Sequence, residues 1–302
     1  MELSQYMKLH FPVVFFLLIS QSVSSRDFTD VELKTVHVNG NIYMLEGIHG
    51  FAGGNIGVSI GDDGILIVDD QFSEMNEKIR KALAKLKPGQ TEYVLNTHWH
   101  GDHTGGNNDF SSHATIIAHD NVRRRLMEEQ TNLFARTPAR SKAAWPVITF
   151  DESLTIHFNN ETIRVLHLPN GHTDGDSIIY FTESNVVHMG DHYFAGMFPF
   201  VDIASGGNVL NFADNVKRTI DSIPDDVRII PGHGSLSNKQ ELIAYHQMLR
   251  DSIQFVQQNI DKGMALEELI ATGIPNYLKA WETGFIKADK WLTFIYQSIE
   301  GT

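Results

Sequence analysis

The chain has 302 residues, 42% hydrophobic and 20% charged, enough to bury a substantial core as one large domain or two small ones. Its formal net charge of -13 argues against nucleic acid or an anionic membrane as the main partner. It has no cysteine, so disulfides, thiolate ligands and cysteine nucleophiles are excluded, and any metal must be held by nitrogen and oxygen.

Met7 to Ser25 has the pattern of an export signal. Lys8 and His10 form a weakly basic start, Phe11 to Ile19 is an apolar run, and small polar residues precede a cleavage point near Arg26. The run is too short to span a bilayer as a mature helix. The competing reading is a buried N-terminal element. Residues 1–25 are assigned as the signal and 26–302 as a single domain. The mature protein is then expected to be periplasmic or secreted, with no stable membrane association after signal removal.

Val31 to His37 and Asn41 to Glu46 flank a hairpin-like turn at Gly40. Gly47 to Asn55 carries four glycines and reads as a loop able to run close to a ligand. Strands are expected at Asn55 to Ile60 and Ile65 to Val68. The second ends in Asp69-Asp70, carboxylates that either position something or cap the next turn. Ser73 to Leu86 reads as an amphipathic helix capped by Ser73 and ended by Pro88-Gly89. Strands follow at Tyr93 to Leu95 and Thr115 to Ala118. A helix from Asp120 to Leu133 carries Arg123, Arg124 and Arg125, read as a solvated face. Thr137 to Pro146 is an irregular excursion near the site mouth. Two strand pairs, Leu154 to His157 with Thr162 to Leu168 and Ser177 to Phe181 with Val186 to Met189, come next. Helix Asn208 to Ile223, strand Val227 to Ile230 and a long helix Ser237 to Ile260, capped by Ser237, follow. Helices Met264 to Thr272 and Ala288 to Ile299 close the chain. This order implies mixed α/β layers rather than an all-parallel sheet.

The chemistry concentrates at His98-Trp99-His100-Gly101-Asp102-His103, just past the strand Tyr93 to Leu95. Neutral imidazole and carboxylate are ligands that zinc and similar divalent ions prefer. Three further loops share one grammar: each follows an apolar strand and sets a ligand type beside glycine. They are Gly171-His172, Gly190-Asp191 and Gly232-His233-Gly234. Strand ends hold ligands rigidly, and glycine lets backbone approach a metal closely. Trp99 is expected to pack beneath the first loop and fix its shape.

The pattern His98-x-His100-x-Asp102-His103, followed by His172, Asp191 and His233, resembles the metallo-beta-lactamase superfamily across nearly all of the mature chain. The resemblance implies an α/β fold, the metallo-beta-lactamase αββα sandwich of two mixed sheets with outer helices. It also implies two zinc ions per chain. One would be held by His98, His100 and His172, the other by Asp102, His103 and His233, with Asp191 bridging and Asp102 also orienting the nucleophile as the catalytic carboxylate. The implied activity is hydrolysis of a small cyclic amide, ester or thioester. The alternatives are a zinc phosphodiesterase and a non-catalytic metal-binding protein.

Asp191 stands where lactamases of the cysteine-ligand class have a cysteine. The chain is therefore more similar to the thioesterase, lactonase and phosphodiesterase branches, and most similar to exported hydrolases near the sulfur-oxidation-associated metallohydrolases. Three substrate contacts are expected around the centre. His192 is a substrate contact, a group behind the ligands or a surface histidine. Asn208 lies where lactamases place an asparagine near the substrate carbonyl, although capping of the following helix is favoured. Phe194 replaces a lysine of the cysteine-ligand class and opens an apolar segment to Phe200 that lines a pocket, forms a dimer contact or packs in the core. The expected partner is a small-molecule substrate, with self-association left open.

Overall fold

The computed structural model describes residues 27–131, 133 and 136–301, so the expected export signal lies outside the described residues. Strands β1 (Glu32–Asn39) and β2 (Ile42–Ile48) form the expected hairpin, and β3 (Ile56–Gly61) and β4 (Gly64–Val68) form a second that pairs with it. β5 (Thr91–Leu95) and β6 (Thr115–His119) then add in parallel. β7 (Gln130–Thr131) and β8 (Arg136–Thr137) make a small separate ribbon, and β9 (Ile148–Phe150) pairs parallel to β6. The first sheet is therefore mixed, in the order β1-β2-β3-β4-β5-β6-β9. The second runs β10 (Ser153–Phe158), β11 (Glu161–His167), β12 (Ser177–Phe181), β13 (Val186–His188), β14 (Arg228–Ile230), β15 (Ser237–Asn238), with only β13 and β14 parallel.

Side-chain alternation along these strands builds the layers, because successive residues point to opposite faces. Met44, Leu66, Val68, Leu95 and Ile117 from the first sheet meet Ile163, Val165, Ile179, Phe181 and Ile230 from the second in one buried cluster. The intervening residues Leu45, Ile65, Ile67, Val94 and Ile116 face the other way. They bury Ile79, Ala82 and Leu83 of α1 (Asn76–Leu86). On the far side, Ile178, Val187 and Ile229 cover a larger cluster with the helices. Short helices α2 (Gly101–Thr104) and α3 (Asn107–Phe110) follow β5, and α4 (Asp120–Met127) follows β6. α5 (Val209–Ser222), α6 (Lys239–Ile260), α7 (Leu266–Thr272) and α8 (Ala288–Glu300) carry the outer wall of the second sheet. Helix, sheet, sheet, helix is the expected αββα sandwich. Among the described residues no helix is long and apolar enough to cross a membrane.

Three local expectations are corrected. The segment from Ser73 opens with a 3-10 turn over Ser73–Met75 before α1, and Ser73 bonds Glu74 instead of capping. Ser237 lies in β15, and the α6 cap is Asn238, whose side chain accepts from Glu241 N. α4 stops at Met127, where the chain turns into the β7–β8 ribbon.

Candidate metal centre

Four chain segments deliver the candidate ligands to one edge of the sandwich. The loop after β5 brings His98 to His103, the loop before β12 brings His172, and the ends of β13 and β14 bring Asp191 and His233. Their donor atoms fall into two groups, His98, His100, His172 and Asp191 in one and Asp102, His103 and His233 in the other. The atoms within each group lie within 4.8 Å of one another. Asp191 spans both. Its Oδ2 lies 3.8 Å from His98 Nε2 and 3.4 Å from His172 Nε2, while Oδ1 lies 3.1 Å from His103 Nε2 and 3.3 Å from His233 Nε2.

Hydrogen bonds behind the rings fix which nitrogen faces inward. His172 Nδ1 donates to Phe200 O at 2.8 Å, His103 Nδ1 to Asp69 Oδ2 at 2.7 Å, and His100 Nε2 to Asp202 Oδ2 at 2.9 Å. Thr97 Oγ1 gives its single proton to Asp69 Oδ2, so at 3.0 Å it accepts from His98 Nδ1. Each ring thus carries its proton outward and turns a lone pair to the centre, which is how metal-bound histidines are oriented. Burial lowers His98 and His172, the latter to about 4, and keeps both imidazoles neutral near pH 7. Burial also opposes a charge on Asp191, yet the surrounding imidazoles, His233 and His103 foremost, hold it well below the usual carboxylate range.

These donors fit metal cations. His98 Nε2 and His172 Nε2 approach His100 Nδ1 to 3.0 and 2.9 Å with no proton between them, a repulsive arrangement unless positive charge sits among the lone pairs. Nitrogens sharing one tetrahedral zinc would be about 3.3 Å apart. Both His103 Nε2 and Asp191 Oδ1 are buried without a hydrogen-bond partner. Burial disfavours a proton on His103, but Asp191, Asp69 and Asp102 outweigh it and raise its pKa well above the usual range. A cation at Nε2 would take that proton's place.

The frame around the donors is rigid. Asp69 adopts a left-handed backbone (φ 64°) at the end of β4 and accepts from Thr97 N at 2.7 Å as well as from His103. The glycine-rich loop before β3 runs against the centre, as expected. A side chain on Gly54 would overlap the His103 ring, and one on Gly232 would overlap Asp191 Oδ1. Asn55 Nδ2 ties this loop to Pro231 O and Gly234 O at 3.0 and 2.7 Å, pinning the His233 turn to the first sheet. His233 is sandwiched between Phe51 and Phe194, with ring centroids 5.6 and 5.0 Å away. Trp99 packs against Ala118, Val122 and Leu126 and meets His100 edge-on. The open side is marked by Asp102, whose side chain is 20% exposed, and by His100 and His233, each 9%, while His98, His103 and His172 show 1% or less.

The three expected substrate contacts take other roles. His192 is buried, stacks on Phe212 at 4.9 Å and faces Asn215 and Asp176, leaving no surface for a ligand. Asn208 accepts from Leu210 N and Asn211 N, capping α5. Phe194 is fully buried behind His233. The arginines of α4 are not simply solvated. Arg125 makes a two-pronged bond with Asp174, beside the His172 loop, and Arg123 donates to Pro146 O and lies over Trp145. Asp202 joins the centre without belonging to any motif of the sequence. Its sole sequence mark is a lone carboxylate closing the apolar run Phe198 to Val201, and its partner His100 is 102 positions away.

Residues 69–233 match the sequence profile of the metallo-beta-lactamase superfamily. The chain is 24% identical over 179 residues to a hydroxyacylglutathione hydrolase of Pelagibacter ubique, covering 57% of this chain and 66% of that one. It is 27% identical over 177 residues to an atrochrysone carboxyl ACP thioesterase of Claviceps purpurea, covering 58% and 51%. In shape it is similar to a stereoselective inverting sec-alkylsulfatase from Pseudomonas sp., with a TM-score of 0.68 and 14% identity, over 88% of this chain and 50% of that one. The chain therefore spans about two thirds of the first of these proteins and half of the other two. The profile covers more than half of the chain and takes in every donor from His98 to His233, and with the two-sheet architecture around them it makes this protein a member of the metallo-beta-lactamase superfamily.

Proposed function

We propose that the protein is a zinc-dependent hydrolase with two ions per chain, acting on an activated carbonyl: a thioester, an ester or a small cyclic amide. The observation that carries this is the placement of Asp191, each of whose oxygens faces two imidazole nitrogens of a different donor group. His98, His100 and His172 would hold one ion, and Asp102, His103 and His233 the other, with Asp191 shared. When bound, the ions supply Lewis acidity and lower the pKa of water, so that a hydroxide nucleophile exists near neutral pH.

The chain's own residues do the positioning. Asp102 is the most exposed of the seven donor residues, with Oδ2 3.8 Å from His103 Nε2 and 3.6 Å from His233 Nε2. Its carboxylate can accept a proton from the attacking water and aim the oxygen at the substrate carbonyl. Asp69, Thr97, Asp202 and the Phe200 carbonyl keep the histidines in the metal-binding tautomer. Burial of all other donors restricts solvent to the Asp102 side, where substrate must enter.

Thioesters come first because one relative is named a thioesterase and another a hydroxyacylglutathione hydrolase. The absence of cysteine sets the chain apart from lactamases that use that ligand. The seven donors form complete groups, which weighs against a merely metal-storing protein. The test is a panel of S-lactoylglutathione, an acyl lactone, a chromogenic beta-lactam and bis-p-nitrophenyl phosphate with zinc-loaded protein. Chelator-sensitive turnover of a carbonyl substrate is expected. Turnover of the phosphodiester alone would replace this reading with a phosphodiesterase. Export to the periplasm or medium is part of the proposal, tested by N-terminal sequencing of the mature protein.

A further inference from the structure

Arg140 sits on the excursion between β8 and β9, at the mouth of the centre, and no role in the chemistry above uses it. Its backbone is held on both sides: N donates to Leu126 O at 2.8 Å, and O accepts from Trp145 Nε1 at 3.1 Å. Trp145 is itself clamped by Arg123, 5.5 Å over its ring, and packs on the cluster that supports Trp99. The next residue, Ser141, donates to Asn108 Oδ1 at 2.7 Å. The side chain is therefore launched from a fixed point.

Its guanidinium reaches the ligand loop itself. A methyl group on Gly101 would lie 3.0 Å from Arg140 Nη2, so glycine at this position makes room for the cation. Gly101 is flanked by His100 and Asp102, two of the three donors that open to solvent. Arg140 is half-buried, and among the described residues its guanidinium has no hydrogen bond and no ion pair. Asp70 feels its charge across the loop, but among the described residues no ion pair joins the two, and burial raises the Asp70 carboxyl well above the usual range. A half-buried guanidinium without a counter-ion, pinned beside an open metal centre, is what a fork for a planar anion requires. In a chain of net charge -13, a fixed cation at the mouth also offsets the repulsion an anionic substrate would meet.

We infer that Arg140 binds a carboxylate carried by the substrate and thereby gives the enzyme its preference for anionic over neutral esters and thioesters. Anion recognition thus comes from the β8–β9 excursion, not from the loop after Asp191, where Phe194 is apolar and buried. The inference rests on the hydrolase reading, and two measurements keep their failures apart. The first is the ratio of kcat/KM for 4-acetoxybenzoate to that for its methyl ester, measured for zinc-loaded wild type, R140A and R140K with zinc content and circular dichroism matched. Loss of a charged hydrogen-bonded pair should lower the ratio roughly tenfold to a hundredfold in R140A, with partial recovery in R140K. A ratio within twofold of wild type overturns the role. The second is calorimetric binding of benzoate, against benzamide as control, which needs no turnover. Benzoate should bind wild type and bind R140A at least tenfold more weakly. Equal affinity, or no binding to wild type, overturns the assignment. If neither ester is hydrolysed while the benzoate difference holds, the hydrolase reading on esters fails and the anion site stands.

Discussion

Asp69 Oδ2 lies 2.7 Å from His103 Nδ1, and the same oxygen takes the Thr97 hydroxyl proton at 2.8 Å. One carboxylate thus sets the tautomers of two histidines, His103 directly and His98 through Thr97. In D69N an amide cannot accept from both Thr97 Oγ1 and His103 Nδ1 while also serving Thr97 N. His103 would shift its proton to Nε2 and lose the inward lone pair. Zinc affinity should fall roughly tenfold to a hundredfold. D202N should cost less, because a rotated amide oxygen still accepts from His100 Nε2. Competitive titration against a chromophoric chelator gives both values; equal, unchanged affinities would contradict the tautomer account.

Gly54 is the glycine whose replacement should act most directly on the centre. Its missing side chain is the space that the His103 ring fills. Gly54→Ala should leave the sheets intact, since the residue lies in the loop ahead of β3, yet push His103 away from Asp191. Zinc content should drop with little change in circular dichroism. Full zinc content in this variant would show that the loop can yield.

Arg125 and Arg124 both reach Asp174, but from different environments. The Arg125–Asp174 pair has side chains 15% and 13% exposed, whereas Arg124 is 56% exposed. R125A removes the two-pronged partner of a largely buried carboxylate, leaves it only the exposed Arg124, and should destabilise the fold by about 2 kcal/mol. R124A should cost less than about 0.5 kcal/mol, as screened surface pairs do. Urea denaturation separates them; equal effects would mean that Asp174 is held by something other than Arg125.

His119 and His167 stack at 3.8 Å, and burial lowers both below the usual histidine range. The unfolded chain, with histidine near 6.5, then takes up protons first as pH falls. Stability from this pair is complete above about 6.5 and is lost as pH drops from there toward the folded values. H167N keeps a donor toward Asp176 O but removes one titrating ring. The loss of stability between pH 7 and pH 5 should be smaller in H167N than in wild type; an equal loss would assign the acid sensitivity to other buried histidines.

The donors were readable in the sequence because each sits at the end of an apolar strand, beside glycine, in a pattern of fixed spacing. The layers were readable because strands and helices alternate with clear periodicity. What escaped depends on distance along the chain. The His100 partner Asp202 and the Arg125 partner Asp174 are 102 and 49 positions from them, and no local motif links either pair. β9 is a three-residue edge whose pairing to β6 exists only after a long excursion. The caps at Ser73 and Ser237 failed because a neighbouring turn or strand claimed the residue first, while Asn208 did cap α5 as favoured. Arg140 had no signature at all, since its meaning comes from the glycine it covers.

The proposed sharing of Asp191 between two ions is tested most directly by counting metal. Fully zinc-loaded wild type should contain two ions per chain by plasma mass spectrometry, and D191N no more than one, because the amide nitrogen would present hydrogens to one of the two imidazole pairs. Chelator treatment should abolish hydrolysis and zinc should restore it. Wild type that saturates at a single ion, or D191N that still holds two, would contradict a centre built around Asp191.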